Sequence, residues 1–242
     1  MYSIAFFWVG EDISIPKRLV DSIRLVMGSD VEVIQLTDLT TAGVAGVTKV
    51  QRSELSSQIM VARLQAYAQT ASSQEFTFFC DADSIFISPL NIQTGLDSQD
   101  IFLTERLQDH AINDKYPEFY PEFTGKMIKD VMPILFGAIA VKGNQSGFFD
   151  YLLTICKQLP MRFQRWYGDQ YALASLIKNE QFKFGLLDPN RHLFITRSEI
   201  SEEDIVKLQQ FKVQMVTFKG PDSKQHIENT FKNLLKTLNK TA

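Results

Sequence analysis

The chain has 242 residues, of which 45% are hydrophobic, 22% charged and 12% aromatic; only 12 are glycine and 8 proline, which excludes a disordered, collagen-like or coiled-coil protein. Lys and Arg number 25 against 28 Asp and Glu, a net charge of −3, so no chain-wide basic field points to nucleic acid. Two cysteines, Cys80 and Cys156, cannot build a disulfide-rich scaffold.

The first apolar run, Ile4 to Val9, has no basic residue before it and Glu11-Asp12 directly after it. It reads as a buried strand over residues 2–9, not as a signal peptide or membrane span, so the expected location is cytoplasmic. Residues 16–27 predict a helix with Leu19, Ile23 and Val26 on one face, and residues 31–36 a second strand. Leu55, Ile59, Ala62 and Ala66 recur at helical spacing within 54–71, and a third strand follows at 76–80. Strands alternating with helices predict parallel βαβ units buried on both faces. The apolar run Ile101 to Leu103 ends at Glu105. Residues 106–133 have little periodicity but carry Tyr116, Phe119, Tyr120 and Phe123, and so long an irregular stretch points to function. Beyond it, strands are expected at 136–141, 182–187 and 213–218, and helices at 148–158 and 168–178. A final helix from Ser223 has Asp222 as its expected N-cap and an apolar stripe of Ile227, Phe231, Leu234, Leu235 and Leu238. No linker or repeat divides the chain, which predicts one α/β domain over 1–242.

The stretch Phe76-Thr77-Phe78-Phe79-Cys80-Asp81-Ala82-Asp83 runs a hydrophobic strand straight into Asp-Ala-Asp. In extended backbone, positions i and i+2 project to one side, so Asp81 and Asp83 can aim two carboxylates at one point. In open α/β sheets, ligands bind just past the carboxyl ends of the strands. Two like charges so close call for a cation between them, and a hard divalent ion with oxygen ligands is the natural one. Taken alone, the same pattern also describes a turn whose acids face water.

Four motifs stand in order along the chain. They are Arg63-Leu64 in a helix, the strand ending in Asp81-Ala82-Asp83, Asp169-Gln170 opening a helix, and Lys219-Gly220 followed by Lys224. In this ordered set the chain resembles the nucleotide-sugar-dependent glycosyltransferases of the GT-A fold, in their bacterial D-x-D branch. The resemblance implies a GT-A-like, Rossmann-type mixed and mostly parallel sheet flanked by helices. It places nucleotide binding in the half to about residue 105 and the acceptor in 106–242. It implies that Asp81 and Asp83 hold Mn²⁺ or Mg²⁺ on the diphosphate of a nucleoside diphosphate sugar, with UDP as the expected nucleotide. Arg63 would lie near the donor sugar and phosphates, and Lys219 and Lys224 would close over the diphosphate. Asp169 either caps its helix or reaches the donor sugar or acceptor hydroxyl. Glu105, after its apolar run, is a candidate to act as general base or to orient the acceptor. The implied partner is a saccharide or glycoconjugate acceptor, with no nucleic acid. A lysine-rich face of the final helix (Lys232, Lys236, Lys240) leaves peripheral membrane contact open.

One position departs from the pattern. Relatives with the Lys-Gly turn often carry a His as third metal ligand where this chain has Thr217. His226 follows nine residues later, and His110 and His192 have no partner at metal-ligand spacing. The departure keeps a second reading in play, a non-catalytic sugar-nucleotide or glycan-binding protein on the same fold. A sugar-phosphate nucleotidyltransferase is disfavoured, since Val9-Gly10-Glu11-Asp12-Ile13 stands where a Gly-rich, Arg-containing loop would be needed. P-loop, G-x-G-x-x-G, H-E-x-x-H and G-x-S-x-G motifs are absent from the sequence.

Overall fold

The structure, a computed structural model, describes residues 2–71, 76–92, 99–109, 111–112, 121–178, 182–220 and 222–241. The chain begins with β1 (Ser3–Phe7), α1 (Ser14–Met27), β2 (Glu32–Thr37), β3 (Lys49–Arg52), α2 (Ile59–Thr70), β4 (Phe76–Cys80), β5 (Ser84–Phe86) and β6 (Ile101–Glu105). It continues through α3 (Ile128–Val131), β7 (Ile134–Lys142), α4 (Ser146–Gln158), α5 (Met161–Arg165), α6 (Gly168–Lys178) and β8 (Gly185–Leu187). The last elements are α7 (Pro189–His192), β9 (Phe194–Thr196), α8 (Glu202–Gln210), β10 (Met215–Phe218) and α9 (Ile227–Thr241).

Alternation explains the centre of the main sheet. Ile4, Phe6 and Phe78 point to one face with Leu19, Val20 and Ile23 of α1, while Ala5, Phe7 and Phe79 point to the other with α2, α4 and α6. Strands apolar on both faces need helices on both sides, and each large side chain buried there contributes about 1.5–3 kcal/mol. The seven strands run in the order β3-β2-β1-β4-β7-β6-β8. Pairing is parallel throughout except that β7 opposes both β4 and β6. The sheet is therefore mixed, mostly parallel and flanked by helices, as the resemblance implies.

β7 is irregular at a telling place. Along β6, Leu103 pairs with Ile139 but the next residue, Thr104, pairs with Leu135. Residues 136–138 are thus bulged out of that ladder, and the Thr104 hydroxyl donates to the freed Ala138 carbonyl at 2.8 Å.

Residues 213–218 do form a strand, but outside the main sheet. β10 lies between β5, antiparallel, and β9, parallel, in a second sheet of three strands. Ile85, Val216 and Phe218 make a separate core there with Ile205 of α8 and Phe231 and Leu234 of α9. Three boundaries also shift. α2 starts at Ile59 rather than at residue 54, because Ser56 N–H donates to Gln65 Oε1 and Gln58 N–H to Ser56 Oγ before the helix begins. Asp222 does not cap the last helix, which is entered through a 3₁₀ turn at Lys224–His226. The strand expected at 182–187 shortens to β8, with Phe182 and Phe184 packed against the main core.

Within 106–133, Phe123 joins Ile128, Val131, Met132 and Phe163 in a small apolar cluster. Tyr116, Phe119 and Tyr120, like His110, lie outside the described residues. Cys80 and Cys156 are buried free thiols, and burial pushes the Cys156 thiol up to about 11. Lys236 and Lys240 of α9 reach Glu202 at 3.6 and 2.6 Å, and Lys232 reaches Glu228 at 3.5 Å, so the lysine face is tied to acids of this chain. Among the described residues, no helix is long and apolar enough to cross a membrane.

Candidate functional site

β4 and β10 assemble the site from two sheets. β4 ends at Cys80, and Asp81 N–H continues the ladder by donating to the Gly137 carbonyl at 3.1 Å. The chain then turns through Ala82 and Asp83 into β5, and Phe218 N–H donates to the Asp83 carbonyl at 3.0 Å. Because β10 is hydrogen-bonded to β5, its next residue, Lys219, is delivered to both aspartates. The Lys219 ammonium forms an ion pair with Asp81 Oδ2 and lies 3.5 Å from Asp83 Oδ1. Asp81 and Asp83 thus do meet at one point, but a turn brings them there rather than the pleat of an extended strand. Gly220, at φ +107, lets the chain reverse, and Lys224 then stands 3.8 Å from Asp83 Oδ2.

The other wall comes from α2, α6 and β7. The Arg63 guanidinium donates from Nη1 to Asp81 Oδ1 at 3.0 Å and from Nη2 to Asp169 Oδ2. It also lies over the Phe136 ring, 4.8 Å from the centroid. Tyr67, one helical turn on, stacks on Phe79 at 4.3 Å and on Phe136 at 5.7 Å, so the ring beneath Arg63 is itself held by the core. Asp169 is fully buried in the first turn of α6, where its Oδ1 accepts from Gln170 N–H at 2.7 Å. It therefore sits at its helix start and also reaches into the cluster.

The bulge in β7 is what makes room for this. A Cβ on Gly137 would lie 2.8 Å from Asp81 Oδ2 and 3.4 Å from Leu193 Cδ1. The small residue serves the approach of the Asp81 carboxylate, and its neighbour Phe136 supplies the aromatic face under Arg63. An isolated glycine inside a strand pattern signals a close approach, though not by what.

Among the described residues the cluster balances three carboxylates (Asp81, Asp83, Asp169) against three cations (Arg63, Lys219, Lys224). Burial pushes the Asp81 carboxyl up, but Lys219 and Arg63 outweigh it and hold it below the usual range. For Asp83, burial together with the negative Asp81 prevails over Lys219 and Lys224, and its carboxyl is raised. The aspartates in turn hold the Lys219 ammonium above its ordinary value, against the effect of burial.

Two oxygens could hold a hard cation, Asp81 Oδ2 and Asp83 Oδ1, since one ammonium already faces both. Asp83 Oδ1 is moreover a buried acceptor with no hydrogen-bond donor among the described residues. This donor set fits a divalent ion whose remaining positions are filled from outside the chain. Thr217 adds nothing to it: it is fully buried in β10, its hydroxyl 2.8 Å from Ser84 Oγ. Among the described residues no group of three His, Cys, Asp or Glu could hold a metal. His226 lies in the 3₁₀ turn after Lys224, and buried His192 faces the carbonyls of Asp188 and Asn91 at 2.9 and 3.4 Å.

Of the expected residues, the structure brings together Arg63, Asp81, Asp83, Asp169, Lys219 and Lys224. Glu105 is exposed at the end of β6 and takes no part in these ion pairs. Three contributors were not legible beforehand: Phe136, the Tyr67 ring beside it, and Arg106, whose Nη2 donates to Gln170 Oε1 at 2.5 Å.

No protein-family model and no curated protein matches this chain in sequence. Among solved structures, the chain is similar to one described as a glycosyltransferase involved in the glycosylation of the major capsid of PBCV-1. The TM-score is 0.57 at 10% identity, over 95% of this chain and 98% of that one. The two share a fold over nearly all of both chains.

Proposed function

We infer that the protein is a glycosyltransferase that moves a hexose from a nucleoside diphosphate sugar, with UDP as the nucleotide, to a hydroxyl of a saccharide or glycoconjugate. One observation carries this reading: two aspartates, two lysines and an arginine converge just beyond the end of β4, where an α/β sheet binds ligands. The shared fold with a described glycosyltransferase supports it, as does the ordered set of GT-A-like motifs.

In this reading the nucleotide occupies the half of the chain to about residue 105 and the acceptor the remainder. Asp81 and Asp83 hold Mn²⁺ or Mg²⁺. Bound there, the ion would supply Lewis-acid neutralisation of the charge on the departing nucleoside diphosphate. The internal charge balance of the cluster gives the reason it is needed, because a diphosphate entering alone would add uncompensated negative charge. Lys219 and Lys224 donate to phosphate oxygens. Arg63, fixed by Asp169 and Phe136, faces the donor sugar. Glu105, exposed at the end of β6 and outside the ion-pair cluster, would orient the acceptor or take the proton of its hydroxyl as that oxygen bonds to the anomeric carbon and the bond to the diphosphate breaks.

Incubation with a panel of UDP-hexoses and saccharide acceptors, with and without Mn²⁺, tests the assignment. Metal-stimulated release of UDP with a glycosylated product is expected. Binding of UDP compounds with no turnover on any acceptor, and none on water, would instead favour the binding-protein reading that Thr217 keeps in play.

A further inference from the structure

Arg106 is the only Lys or Arg that is buried among the described residues, at 7% exposure. Its surroundings are neutral. Nε donates to the Met132 carbonyl at 2.8 Å and Nη2 to Gln170 Oε1 at 2.5 Å, while its backbone N–H is held by the Pro133 carbonyl at 2.8 Å. No carboxylate pairs with it among the described residues, although Glu105 is its chain neighbour. Arg63, Lys219 and Lys224 each have at least one carboxylate, so Arg106 differs from every other cation of the cleft. A guanidinium has five N–H donors, and two of them are used by these side-chain contacts. Nη1 donates to no described residue. A buried charge without a counter-charge is costly to keep, and burial accordingly lowers its proton affinity.

We propose that Arg106 binds an oxyanion of the acceptor, so that the saccharide this cleft takes is an acidic one carrying a carboxylate or phosphate. The position fits the acceptor flank. Arg106 follows the end of β6 and touches Gln170, whose neighbour Asp169 pairs with Arg63. The anion would therefore sit beside the donor cluster and not on it. A planar guanidinium with one edge unpaired among the described residues matches an oxyanion better than it matches a neutral hydroxyl. This substrate class rests on the transferase reading of the cleft.

The test measures equilibrium binding of glucuronate, glucose 6-phosphate and glucose to the full chain, with UDP–Mn²⁺ binding followed separately. At least about tenfold tighter binding of one or both acidic sugars than of glucose is expected, the difference being lost in Arg106→Gln and partly kept in Arg106→Lys. Preference for glucuronate identifies a carboxylate, and preference for glucose 6-phosphate a phosphate. Equal binding of all three sugars by the wild type overturns the proposal whatever the variants do. So does a preference that persists in Arg106→Gln. Failure of UDP–Mn²⁺ binding would count against the donor assignment alone, which keeps the two failures apart.

Discussion

Arg63 offers one guanidinium to two carboxylates from different parts of the chain, Asp81 beyond β4 and Asp169 in α6. Asp169 is fully buried, and Arg63 is its counter-charge. Replacing Arg63 by Ala strands a buried carboxylate, at an expected cost of about 3–5 kcal/mol in unfolding free energy. Replacing both partners, as in Arg63→Met with Asp169→Leu, removes the desolvated charge along with its mate. Denaturant unfolding of Arg63→Met, Asp169→Leu and the double variant checks this. The double variant is expected to lose clearly less than the sum of the singles, and strict additivity would contradict the pairing.

At the level of elements, α6 is placed by its first residue. Gly168 packs so closely on the Phe163 carbonyl and on Cys156 Sγ, which a Cβ would meet at 2.9 Å, that no side chain fits there. A backbone carbonyl cannot swing aside as a side chain can. Gly168→Ala is therefore expected to shift the start of α6, to lower the unfolding midpoint by the equivalent of about 1–3 kcal/mol, and to weaken UDP–Mn²⁺ binding through Asp169 and Arg63. Retained stability and affinity would show that the junction of α5 and α6 is not fixed by this contact.

The same element shows what the sequence could reveal. α6 is legible over its full length because its apolar residues keep helical period and the Asp-Gln pair marks its start. β4 is equally legible, since five consecutive residues are buried or nearly so on both faces. β3, α5, α7, α8 and β9 are not, being short or mostly exposed, with little apolar pattern to read. The second sheet also escapes notice, because pairing of β5 with β10 joins residues far apart in the chain. At the site, Asp81, Asp83, Arg63 and the two lysines stand in ordered motifs. Arg106 and Phe136 belong to no motif, and only the bulge in β7 and the contact with α6 bring them in.

For the whole molecule, a pH response follows from His192. The residue is buried at the join of α7 with β10, where Gln214 N–H donates to the Arg191 carbonyl at 2.7 Å. Burial lowers its pKa from the ordinary 6.5, outweighing the carbonyls of Asp188 and Asn91 that favour the charged ring. The unfolded chain then takes up a proton before the folded one does. Stability is thus full above about 6.5 and falls as pH drops from there towards the depressed value. Thermal unfolding across that range checks the sign: the midpoint of the wild type is expected to fall more steeply than that of His192→Gln. Parallel curves would place the acid sensitivity elsewhere.

The convergence of Asp81 and Asp83 on one cation site is the claim on which the functional account turns. Its most direct measurement is a titration of UDP into the wild type and Asp83→Asn, each with and without Mn²⁺. Mn²⁺ is expected to tighten UDP binding to the wild type by at least about tenfold. Asp83→Asn, folded by the same unfolding criterion, should bind UDP equally weakly with and without the metal. Equal affinity of the wild type in the two conditions, or metal enhancement that survives in Asp83→Asn, would contradict it.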